Sequence, residues 1–122
     1  MSRIFSIGEM YHQNDSDKTE DLIETVILDV LAIPVTHAIV QKTTGGDAEA
    51  LTLADGIPGQ LLIIHLVTDG GGDGTLTPVT ATGWATIVFA DVKDQVVLYY
   101  VDDTIGWIIL GLSGTAGPPA HT

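Results

Sequence analysis

Apolar positions in this chain recur mostly with a period of two, and glycine, proline and aspartate interrupt them at short intervals. The longest apolar run, Gln60 to Val67, is rich in branched residues. It lies between Asp55-Gly56 and Pro58-Gly59 on one side and Asp69-Gly70-Gly71-Gly72-Asp73-Gly74 on the other. A run this short, with turn formers at both ends, predicts a strand buried on both faces. The same grammar predicts strands over Thr36–Lys42, Ala48–Leu53, Trp84–Ala90, Gln95–Val101 and Gly106–Leu110. Thr75–Thr77 reads as a short strand, and Pro78 after it favours a sheet edge. Asp91–Asp94 reads as a turn that joins Trp84–Ala90 and Gln95–Val101 as a hairpin. Asp102-Asp103 reads as the next turn.

Leu22–Ile33 fits two periods. Leu22, Ile23, Val26, Ile27, Val30 and Leu31 recur at helical spacing, and Asp17 with Glu20 would form a capping box before them. Val26, Ile27 and Val30 are β-branched and also alternate, which favours a strand. Pro34 ends either element. We read a strand. Residues 1–21 turn polar after Tyr11 and read as an N-terminal arm, residues 22–114 as the β domain, and residues 115–122 as a flexible tail. Seven or eight short strands at regular spacing, without a true repeat, predict an all-β fold. The expectation is a small antiparallel β-sandwich or barrel with an extended arm.

Composition narrows the partners. Sixteen acidic residues against four basic ones give a formal net charge of −12, and Arg3, Lys18, Lys42 and Lys93 are scattered. No basic patch can form to neutralise a run of phosphates, so nucleic acid and anionic membrane surfaces are both disfavoured. The absence of cysteine removes disulfides and thiolate chemistry. No run approaches the ~18 apolar residues of a membrane span, and the N-terminus lacks the apolar segment of a secretory signal.

Candidate chemistry is thin. The Asp69–Gly74 loop is acidic and glycine-rich, but it has neither EF-hand spacing nor an iterated repeat, so it reads as a turn with solvated aspartates. Asp102 and Asp103 read the same way. His37 and His65 fall in predicted strands without a nameable third ligand. The serines Ser2, Ser6, Ser16 and Ser113 lie near the termini, with no nucleophile elbow around them. No catalytic, cofactor or metal residue is assigned, and the expectation is a non-enzymatic protein that needs no metal. Tyr99 and Tyr100 are adjacent, so on a strand one faces the core and the other faces outward as an interface anchor.

One half of the chain carries a family likeness. Its residues are Leu53-Ala-Asp-Gly56, Pro58-Gly59-Gln60, Asp69-Gly-Gly-Gly-Asp-Gly74, Thr77-Pro78, Thr82-Gly83-Trp84, Asp94-Gln-Val-Val-Leu-Tyr-Tyr100 and Gly106-Trp107-Ile-Ile-Leu-Gly111. From about Ala50 to Gly114 the chain resembles a module of tailed-bacteriophage virion proteins, in particular the small capsid decoration (cement) proteins. The resemblance implies a structural protein on the capsid surface of the virion, made in the host cytoplasm. Its implied partner is the major capsid protein, and its implied state is a homotrimer. The alternative is a head-fibre or tail-associated β-module that binds calcium or a host glycan. Ile4, Phe5, Ile7, Met10 and Tyr11 precede a polar hinge, so the arm is expected to attach to the shell or to a neighbouring subunit.

Overall fold

The structure is a computed structural model that describes residues 23–26 and 30–122. Among these residues there is no helix, and ten strands form two sheets. They are β1 (Ile23–Val26), β2 (Ala32–Ile33), β3 (Ile39–Thr43), β4 (Glu49–Leu53), β5 (Gln60–Thr68), β6 (Gly74–Pro78), β7 (Ile87–Phe89), β8 (Gln95–Tyr100), β9 (Trp107–Ser113) and β10 (Ala120–His121). Sheet A has the order β1-β3-β5-β8-β9, and sheet B the order β10-β7-β6-β4-β2. The all-β sandwich is therefore as expected. The arm, residues 1–21, lies outside the described residues. Leu22–Ile33 contributes two short strands, β1 and β2, one to each sheet.

The pairing is mixed. From β1 to β6 the chain alternates between the sheets and stacks each strand parallel to the one two before it. The pairings from β7 onward are antiparallel. The antiparallel expectation thus describes the second half only; the first half is a parallel coil of three turns. Ile23 pairs with Ile39 and Ile39 with Ile63, so successive turns of the coil differ in length. That inequality hides the coil from any search for a sequence repeat.

Three further expectations need correcting. Thr75–Thr77 lies in β6, the middle strand of sheet B and not an edge. Pro78 is tolerated because β7 pairs only with Gly74–Leu76, while the Val79 N–H carries on the bonding to β4 through the Leu53 carbonyl (2.9 Å). Trp84–Ala90 narrows to β7, and it does not form a hairpin with β8, because the two lie in different sheets. The Asp91–Asp94 turn exists, but Asp94 Oδ2 accepts the Ala90 and Asp91 N–H groups. Backbone bonds from Lys93 to Leu66 (2.7 Å) and from Leu66 to Asp94 (2.8 Å) then pull the chain across to sheet A. The terminal residues, expected to be loose, form β10 against β7. There Thr122 donates to the Thr86 carbonyl (3.0 Å) and accepts from Ala85 (2.7 Å).

The core fills the space between the sheets with the inward positions of each strand: Val40, Leu62, Ile64, Leu66, Val96 and Leu98 from sheet A against Leu51, Leu53, Leu76, Ile87 and Phe89 from sheet B. Each such side chain contributes about 1.5–3 kcal/mol by leaving water. The two tryptophans close one end. Trp107 Nε1 donates to the Ala54 carbonyl (2.9 Å), Trp84 Nε1 donates to the Trp107 carbonyl (3.0 Å), and Tyr100 packs edge-on to Trp107 at 5.1 Å. Gly106 makes this closure fit, since at φ 73 it lies so close to the Thr80 carbonyl that a Cβ would collide with it.

Candidate interaction surface

Most sequence-flagged residues resolve into structural roles. The Asp69–Gly74 loop joins β5 to β6 across the sheets. Gly72 donates to the Gly45 carbonyl (2.9 Å), Gly70 to Thr44 Oγ1 (3.2 Å) and Glu49 to the Asp73 carbonyl (2.9 Å). A Cβ at Gly72 would strike the Asp47 carbonyl, so close packing requires glycine there. Asp69 Oδ1 accepts the Gly71 N–H (2.9 Å), as a turn aspartate does. Asp102 Oδ1 accepts the Thr104 and Ile105 N–H groups (2.9 and 2.7 Å).

His37 and His65 do not meet as ligands. His37, expected in a strand, lies in the bend before β3, because the strand predicted over Thr36–Lys42 begins only at Ile39. It contacts Thr36 Oγ1 (2.9 Å) and Glu24 (3.5 Å), whereas His65 of β5 pairs with Gln95 Oε1 (3.1 Å). Among the described residues no three histidine, aspartate or glutamate side chains gather to hold a metal ion.

The tyrosines divide as the strand period requires. Tyr100 is buried, and its hydroxyl donates to Asp103 Oδ1 (2.7 Å). This bond, burial and the neighbouring carboxylates together push its pKa up to about 12. Tyr99 faces outward on sheet A between Leu61 of β5 and Ile108 of β9.

That outward face is the feature that strand reading alone did not assemble. Pairing places Ile23, Ile39, Ile63 and Val97 in one row across four strands, with Gly111 of β9 at its end. Leu61, Tyr99 and Ile108 form a second row beside it. A polar row without carboxylates, lysine or arginine, Thr25, Gln41, His65, Gln95 and Ser113, runs along the other side. Lys42 of β3 points inward instead, fully buried, and its Nζ lies 2.8 Å from Glu49 Oε1. Among the described residues the outward positions of sheet A therefore carry no Asp, Glu, Lys or Arg, in a chain of net charge −12.

Among the described residues the exposed charges collect mostly at the two ends of the sandwich, with Glu24 of the edge strand β1 apart from them. Exposed Asp47, Asp69, Asp73 and Asp91, with Lys93, lie on the loops where β3, β5 and β7 finish. Asp55, Asp102 and Asp103 lie at the opposite end. Sheet B also shows an uncharged exterior, but of short side chains: Ala50, Thr52, Thr75, Thr77 and Val88. Of the two described sheet exteriors, that of sheet A combines the absence of Asp, Glu, Lys and Arg with large apolar side chains, Leu61 being 51% and Leu110 57% exposed. An apolar centre with a neutral polar margin is the anatomy of a contact surface. Comparison of the chain with protein-family models, curated proteins and solved structures gave no match.

Proposed function

We propose that this chain is a non-enzymatic structural protein of a tailed-phage virion, a decoration protein that binds the outer surface of the major capsid protein lattice as a homotrimer and stabilises the head. The observation that carries the assembly role is the charge-free apolar exterior of sheet A in an otherwise strongly acidic chain. A rigid sandwich with such a face gains free energy by being covered. The resemblance of residues 50–114 to decoration proteins supplies the particle. Acidic loops at the ends keep the protein soluble and leave a complement for a basic shell.

The test is particle composition and particle strength. The chain should be found in heads separated from tails, and purified chain added to heads assembled without it should raise the temperature at which they rupture. Recovery in the tail or fibre fraction would replace this reading with a fibre or tail module that binds calcium or a host glycan. Recovery in no particle would overturn both.

A further inference from the structure

We infer that the apolar part of the sheet A exterior is where copies of this chain meet, with Leu110 of one copy seated over Gly111 of the next. This rests on the reading of the chain as an assembly protein and names what covers the face that carries it. Charge selects a second copy as the occupant. Two chains of −12 repel wherever their carboxylates approach, and among the described residues this face lets them touch without any Asp, Glu, Lys or Arg between them. A basic partner would find its complement at the acidic ends instead.

Shape points the same way. The register shift between Val97 and Leu98 leaves Leu110 as an extra residue of β9, 57% exposed, and at Gly111 beside it an added Cβ would meet nothing within 4 Å. A knob next to a hole on one surface suits a self-complementary contact. Such a contact is isologous and pairs two copies across a two-fold axis, separate from the three-fold contact of the proposed trimer. Five strands at ~4.8 Å spacing and ~20 Å of strand length give the whole sheet A exterior, apolar rows and polar row together, a footprint of roughly 500 Å² per copy. Doubled, that is about 1,000 Å², the lower bound of a specific interface, so association should depend on concentration.

The experiment is sedimentation equilibrium of the full chain from micromolar to millimolar concentration. The mass should rise above the 12.8 kDa monomer and rise further in high salt, which screens the acidic ends and spares apolar burial. Gly111→Glu has open space for its side chain and no positive φ, so it should fold like the parent chain. It should weaken association on the order of a hundredfold, because it buries an unpaired charge. Leu61→Glu should do the same, whereas Ala50→Glu on the exterior of sheet B should not. A wild-type chain that stays monomeric at millimolar concentration overturns the inference, as does a Leu61→Glu or Gly111→Glu chain that folds and associates like wild type. A monomer that still binds heads would leave the decoration reading standing. An oligomer of the predicted kind that binds no head would leave this inference standing and remove that reading.

Discussion

The ion pair between the sheets makes the sharpest stability prediction. Lys42 extends from β3 of sheet A into the interior, where its Nζ meets Glu49 of β4 in sheet B (2.8 Å) and donates to the Val30 carbonyl (2.7 Å). Glu49 Oε2 accepts the Gly45 N–H (2.6 Å), so one clasp holds both sheets and the β3–β4 loop. The Lys42 side chain is fully buried and that of Glu49 is 8% exposed. Glu49→Gln preserves shape and removes the charge opposite a buried ammonium. Breaking a buried pair on one side costs about 3–5 kcal/mol, and the slight exposure of Glu49 argues for about 3, a drop of roughly 10 °C in melting temperature for a chain of this size.

The effect should also depend on pH. Burial pushes the Glu49 pKa up, but the Lys42 hydrogen bond, the Gly45 N–H and the Lys42 charge together hold it below the ordinary 4.5. A depressed carboxylate contributes stability that is fully present above 4.5 and lost as pH falls through the lower folded value. Urea unfolding of the parent chain and Glu49→Gln should therefore differ widely at pH 7 and converge at strongly acidic pH, with similar m-values. The double variant Lys42→Met/Glu49→Leu should recover most of the loss, since apolar replacement of a buried pair is often neutral. A Glu49→Gln penalty below about 0.5 kcal/mol at pH 7 would refute the argument, because that is the size of a solvated surface pair.

Two further outcomes follow from the closed end of the sandwich. In an alkaline absorbance titration one phenol should ionise only near pH 12, and Tyr100→Phe should remove that step; because the folded pKa is raised, the associated stability is present below pH 10.0 and lost as pH rises toward 12. Gly59 and Gly106 both have positive φ, but an alanine Cβ at Gly59 meets nothing, whereas at Gly106 it collides with Thr80. Gly59→Ala should thus cost about 1 kcal/mol in chemical denaturation and Gly106→Ala clearly more, and equal costs would show that backbone strain alone decides both.

The alternating residues of Thr36–Lys42, Ala48–Leu53, Gln60–Val67 and Gln95–Val101 determined by themselves that the chain forms strands and which side chains share a face. Period two is a local property of an extended backbone, so it could be anticipated from their adjacency that Tyr99 and Tyr100 face opposite ways, though not that Tyr100 is the buried one. Pro34 and the Asp-Gly and Pro-Gly pairs marked the boundaries for equally local reasons. What no local rule supplies is which strand lies beside which. The two sheets, the parallel coil of β1 to β6 and the crossing from β7 to β8 arise from pairings between residues far apart in sequence, through loops of unequal length. Lys42 shows the consequence. By itself it reads as an ordinary strand lysine at the end of THAIVQK, and it takes Glu49 in the opposite sheet and the Val30 carbonyl to make its burial tolerable. The apolar exterior of sheet A was hidden for the same reason. Ile23, Ile39, Ile63 and Val97 are single outward residues in four separate strands, and a surface exists only once hydrogen bonding sets them side by side.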